Sequence, residues 1–259
     1  MKILVLSDLH FSTNEFVFKP DELRNRIQSI IGKELEAADL VAISGDVVEA
    51  SVMKFTLDPL QILYQIFQKE VVFCLGNHEF AYSDYSEVMN YWKQFKHDHV
   101  HCLDVDGHFI KDGINFVGNV FWYDFSLNEN PTVMQGEILD GWLDSTIKNF
   151  DPIEENKKCQ EQILSNLSKD KTNILVTHMV PHRDLNSFSR EQPYSPYNAY
   201  SGNADFIQTI LDSNYKVEYA LCGHTHRREM KEIHGVYCIN IGNDYYFKSG
   251  WINSMIIEL

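Results

Sequence analysis

The sequence predicts an α/β fold with mixed sheets. Three observations carry this expectation. Short apolar runs rich in branched residues recur along the chain, amphipathic helical stretches separate the first of them, and each of five runs ends in Asp, Asn or His.

The first run, Ile3 to Leu6, leads into Ser7-Asp8-Leu9-His10, and the second, Leu40 to Ile43, into Ser44-Gly45-Asp46. The third, Val71 to Leu75, leads into Gly76-Asn77-His78-Glu79. Ile174 to Val176 is followed by Thr177-His178, and Tyr219 to Cys222 by Gly223-His224-Thr225-His226. Runs of this kind suit strands buried on both faces. Between the first three lie a helical stretch at 21–36, with Leu23, Ile27, Ile30, Ile31 and Leu35 on one face, and another at 58–69, with Leu60, Leu63, Ile66 and Phe67. Strand, helix, strand at this spacing implies parallel pairing with right-handed crossovers, so the exits share one edge. Ligands bind outside that edge in open α/β sheets. Further strands are expected at 115–120, 236–241 and 252–258 in a second layer, and further helices at 151–167 and 205–211. Residues 182–203, with Pro193, Pro196, Gly202 and three tyrosines, read as a long loop over the site.

The length of 259 residues fits one large domain, 1–259, and the 44% hydrophobic content supplies its core. With no long apolar run and no leader-like N-terminus, a cytoplasmic protein without membrane contact is expected. Five cysteines without a CxxC pair read as reduced and structural. The formal charge of -15 repels a polyanion, which disfavours extended nucleic acid as a partner.

The exits offer Asp8, His10, Asp46, Asn77, His178, His224 and His226 as nitrogen and oxygen ligands. That set exceeds one tetrahedral zinc and suits two divalent ions about 3.5 to 4 Å apart sharing a carboxylate. In an extended exit, residues i and i+2 point the same way, so His224 and His226 can serve neighbouring ions, with Gly223 permitting the turn.

In this order, Asp8-Leu9-His10, Gly45-Asp46, Gly76-Asn77-His78-Glu79, Thr177-His178 and Gly223-His224-Thr225-His226 resemble the motif set of the calcineurin-like metallophosphoesterase superfamily. The resemblance spans 8–226 and implies a four-layer α/β/β/α sandwich. It implies one metal held by Asp8, His10 and His226, a second by Asn77, His178 and His224, and Asp46 bridging both. It also implies attack on phosphorus by a metal-bridging water, with His78 as general acid and Glu49 orienting it. Mixed His, Asp and Asn ligands accept Mn, Fe or Zn. Two divalent cations against two aspartates leave the site positive, so it attracts a phosphoryl group. The protein Ser/Thr phosphatase branch carries arginines where this chain has Ala50 and Phe80-Ala81, and the lipid A pathway pyrophosphatase branch has one at His78; neither branch fits. The expected substrate is a small phosphomonoester or phosphodiester such as a nucleotide. The alternatives are a nuclease and a metal-binding interaction module without turnover.

Four other features remain. Lys96 to His101 spaces imidazoles at 97, 99 and 101 but follows no apolar run, and reads as an exposed polar segment. His182 is either a second-layer residue of the site or a solvated one. Arg183, Arg190, Tyr194 and Tyr197 are candidates to clamp a phosphate or stack a base. Phe121 to Phe125 reads as core, with Trp122 the weaker candidate for a pocket wall.

Overall fold

The computed structural model describes residues 1–243 and 251–259. Eleven strands among the described residues form two sheets: β1 (Lys2–Leu6), β2 (Leu40–Ser44), β3 (Glu70–Cys74), β4 (Val100–Cys102), β5 (His108–Lys111), β6 (Ile114–Asn119), β7 (Thr172–Thr177), β8 (Val217–Cys222), β9 (Arg228–Ile233), β10 (Val236–Ile241) and β11 (Met255–Glu258). The first sheet runs β11-β1-β2-β3-β4 and the second β5-β6-β7-β8-β10-β9. Within the first, β1 to β4 are parallel and β11 is antiparallel to β1. In the second, β6, β7, β8 and β10 are parallel, flanked by antiparallel β5 and β9.

Side-chain alternation along each strand builds the layers. Ile3, Val5, Leu40, Ala42 and Val72 meet Phe116, Ile174, Val176, Leu221 and Ile239 in a core between the sheets. Their neighbours Leu4, Leu6, Val41 and Phe73, and Val117, Leu175 and Ala220, face outward into a core with Leu23, Ile27, Leu63, Ile163 and Ile210 from the helices. The result is helix, sheet, sheet, helix. Helices Pro59–Phe67 and Pro152–Asn166 start alike: Asp58 and Asp151 accept the first free backbone N–H groups, and the following proline has none to lose. Helix Pro20–Ala37 is interrupted at Ile31 (φ -127°, ψ 25°).

The parallel order fixes where the chain exits. The polar ends of β1, β2 and β3 leave one sheet, and those of β7 and β8 leave the other, at adjoining edges. Sequence periodicity puts residues 252–258 in the second layer, but β11 closes the first sheet beside β1. Edge position explains the difference, because pairing partner is not encoded in an apolar run. The strands β4, β5 and β9 and the helix Tyr85–Trp92 were not expected. β9 is an edge strand with charged, largely exposed residues, so it lacks the apolar signal. Residues 182–203 hold three short helical turns, Arg183–Leu185, Ser187–Glu191 and Pro196–Tyr200. All five cysteines are buried free thiols. No helix among the described residues is long and apolar enough to cross a membrane.

Candidate metal centre

Five of the seven expected ligands have left-handed backbones: Asp8 (φ 51°), His10 (44°), Asp46 (52°), His224 (67°) and His226 (54°). Non-glycine residues there are strained by about 1 to 3 kcal/mol each, and such strain collects where function requires it. The exits are therefore not extended, as periodicity suggested. Left-handed turns at both ends of Asp8-Leu9-His10 and His224-Thr225-His226 put the middle residue in the interior. There Thr225 Oγ1 accepts a bond from Asn240 Nδ2 at 2.8 Å. Gly223 is not left-handed; its role is close approach, since a Cβ there would collide with Ser7 Oγ and lie 2.7 Å from Asp8 Oδ2. A Cβ at Gly76 would collide with Asp46 Oδ1.

Asp46 is the hub. Its Oδ1 accepts the His78 backbone N–H at 3.0 Å. Its Oδ2 is buried without a well-formed hydrogen bond, with Nε2 of His178, His10 and His78 at 3.4, 3.7 and 4.0 Å. Burial opposes the Asp46 charge, yet His178, His78 and His10 hold its carboxyl well below the usual range. Burial likewise opposes protonation of His178 and His78, but Asp46 overrides it, with Glu49 assisting at His78; their pKa values rise to about 10 and about 9. A buried carboxylate that draws protons onto its imidazole neighbours is the environment a bound cation would replace. The residues thus fit metal.

Two groupings meet at Asp46. Asp8, His10, Asp46 and His226 each offer one ligand atom, all within 4.8 Å of one another, and the rings of His10 and His226 stack at 5.2 Å. On the other side His178 Nε2 lies 3.1 Å from Asn77 Oδ1, and the His224 ring is 5.0 Å from that of His178. His178 Nδ1 pairs with Ser44 O at 2.9 Å and His224 Nε2 with Tyr200 O at 3.0 Å. Such backbone partners fix ring orientation and tautomer in metal-binding histidines. Burial and the neighbouring His178 lower His224 to about 3, leaving it neutral. His78 Nδ1 lies 3.2 Å from Glu49 Oε1, and its ring meets His10 edge-on at 4.4 Å.

Sequence reasoning missed the supports. Asp144, fully buried, accepts from Asn77 Nδ2 at 2.8 Å and from Trp142 Nε1 at 3.0 Å. It follows no apolar run, so no local pattern marks it. Glu79, quoted in a motif but given no role, accepts from Val47 N (2.7 Å), Val48 N (2.9 Å) and Gly76 N (2.7 Å), tying two exits together. Asp104 bridges the two sheets, accepting from Leu75 N at 2.7 Å and Val120 N at 2.8 Å.

The remaining expected residues divide. Tyr197 lines a cavity of about 430 Å³ at the centre, with Trp142, Leu143 and Phe188. Arg190 is instead paired with Glu229 at 3.1 Å, and Arg183 and Tyr194 are exposed away from that lining. Trp122 is fully buried in the core, packed on Phe150 and Phe80, and is no pocket wall. His182 is largely buried, accepting the Asp184 N–H at Nδ1 (3.1 Å); its Nε2 is grouped with Asp205 and His234. With Nδ1 accepting, a neutral His182 carries its proton on Nε2 and has no free lone pair to offer a metal. His101 is half-buried rather than exposed, bonded to Glu70 at 3.1 Å and stacked on Phe109 at 3.8 Å. His97 and His99 pack on Tyr64.

A family model described as calcineurin-like phosphoesterase matches residues 1–228. No curated protein sequence matches the chain. Among solved structures, a phosphopantetheinyl hydrolase from Mycobacterium tuberculosis is 15% identical with a TM-score of 0.63, over 98% of this chain and 95% of that one. A dimetal phosphatase from Danio rerio is 14% identical with a TM-score of 0.52, over 94% and 87%. A protein from Thermus thermophilus is 12% identical with a TM-score of 0.55, over 98% and 97%. At these identities the likeness is one of fold.

Proposed function

The chain belongs to the calcineurin-like phosphoesterase family and is a metal-dependent hydrolase of phosphate esters, and on that premise we propose that it works through two divalent ions, Mn, Fe or Zn, on a small phosphomonoester or phosphodiester such as a nucleotide. Asp8, His10 and His226 would hold one ion, Asn77, His178 and His224 the other, and Asp46 would serve both. The observation that carries this reading is the buried Asp46 Oδ2, set between the two groupings. Bound there, the ions would supply Lewis acidity toward the phosphoryl oxygens and lower the pKa of water.

The protein's own side chains do the rest. His78 is placed beside Asp46 to give a proton to the departing alkoxide, and Glu49, 3.2 Å from its Nδ1, fixes its ring. No Ser or Cys nucleophile is required. The acidic surface repels long polyanions, favouring a small substrate over nucleic acid.

The test is hydrolysis of p-nitrophenyl phosphate and bis-p-nitrophenyl phosphate after chelation and readdition of each metal. Turnover should return only with metal and, on an alkyl ester such as benzyl phosphate whose alkoxide needs a proton, fall by about 10² to 10⁴ in His78→Ala with metal content retained. Turnover indifferent to metal, or alkyl ester turnover indifferent to His78→Ala, contradicts the proposal.

A further inference from the structure

The metal-ligand candidates form a partition between two cavities. Asp46, Asn77, His78, His224 and His226 face the cavity of about 430 Å³. Asp8, His10 and Glu49 face a second, of about 560 Å³. The two differ in chemistry.

The first cavity is walled by Trp142, Leu143, Phe188 and Tyr197. Trp142 is held at Nε1 by Asp144, and its ring meets those of buried Tyr200 and exposed Tyr197, each at 5.2 Å. Among the described residues no lysine or arginine lines this side. Two arginines of neighbouring segments are already paired, Arg227 with Glu191 at 3.0 Å and Arg190 with Glu229 at 3.1 Å. Among the described residues this lining thus offers a second phosphate no cation, whereas it offers a flat apolar group aromatic faces. The second cavity sets Ser12, Thr13, Asn14, Glu15, Ser51 and Lys54 beside Leu9 and Phe55, so it carries aliphatic hydroxyls and charges that the first cavity's outer wall lacks.

A phosphoryl group seated at the partition projects one substituent to each side, and a monoester would leave one cavity empty. We propose that the substrate is a small phosphodiester, with a flat apolar group against Trp142, Phe188 and Tyr197 and a polar, hydroxyl-bearing group beside Ser12, Asn14 and Lys54. This rests on the hydrolase reading above. His78 lines the apolar cavity with its ring backed by Glu49 and His10 of the other, and the apolar alcohol is assigned to it as leaving group. A water oxygen bonds to phosphorus and its proton passes to solvent, the P–O bond to that alcohol breaks, and the alcohol oxygen takes the His78 proton, which solvent restores; the polar group remains as a phosphomonoester.

Benzyl glyceryl phosphate, whose two alcohols are of similar acidity, tests this against benzyl phosphate. Metal-loaded wild type should prefer the diester in kcat/KM by about tenfold or more and release benzyl alcohol. Asn14→Trp, at an exposed helical position beside the polar cavity, should lower the diester-to-monoester ratio about tenfold. Tyr197→Ala should lower kcat/KM on both esters about three- to tenfold. Equal use of the monoester, release of glycerol, or a ratio unmoved by Asn14→Trp overturns the proposal. If metal-loaded protein hydrolyses neither ester, the hydrolase reading fails instead. Calorimetric titration of the diester then decides the cavity assignment: binding weakened by Asn14→Trp supports it, and equal or absent binding overturns it.

Discussion

Asp144 links the wall of the site to its metal grouping, and Asp144→Asn separates the two functions from the fold. The carboxylate accepts two bonds in a fully buried setting, from Asn77 Nδ2 and Trp142 Nε1. An asparagine offers one acceptor oxygen and turns an NH₂ toward the other donor. Losing one hydrogen bond to a charged group costs about 1.5 to 3 kcal/mol, and the N–H left facing N–H adds desolvation of similar size. The larger consequence is for Asn77, whose Oδ1 is aimed at His178 only while its amide is held from behind. Outer partners of metal ligands are worth about 10- to 100-fold in affinity, or about 1.4 to 2.8 kcal/mol. Chelated wild type and Asp144→Asn would be titrated with Mn or Zn against a competing chelator and fitted to two sites. One site should weaken by that factor and the Asp8-His10-His226 site should hold. Wild-type affinity at both sites, or equal weakening of both, would refute the reasoning.

Two further perturbations follow from the same packing. Gly76→Ala drives a methyl into Asp46 Oδ1 and should lower metal occupancy at both groupings together, by elemental analysis, with loss of about 10² in kcat/KM; normal occupancy would show that the loop yields. Burial raises the Asp104 carboxyl to about 7, against the Leu75 and Val120 N–H bonds that lower it. The folded state then keeps a proton that the unfolded chain releases near pH 3.9, so this group's contribution to stability falls as pH climbs from about 4 to about 7 and is level above. Asp104→Asn lacks that slope. Urea unfolding at a series of pH values should show the stability difference between wild type and variant shrinking through this window, and parallel curves would contradict it.

Much of this was legible in the chain. Apolar runs gave β1, β2, β3, β7 and β8, and the polar residues after them named a candidate site, because parallel strands deliver their exits to one place. Pairing was not legible: β11 joins the first sheet although its residues carry the same pattern as a second-layer strand. Edge strands such as β9 escaped because their exposed faces carry charges instead of apolar alternation. Within the site, residue types were visible but backbone conformation was not, since left-handed aspartates and histidines look like any others in sequence. Asp144 was invisible because its meaning comes from a contact 67 positions away. The aromatic wall was half visible, with Tyr197 anticipated and Trp142 and Phe188 unmarked.

The central claim is that two metal ions share Asp46, and metal stoichiometry across three proteins tests it most directly. Wild type should bind two ions per chain, Asp46→Asn should lose affinity at both sites at once, and His226→Ala should weaken chiefly one. Full occupancy in both variants, or a single ion in wild type at saturating metal, would contradict the account.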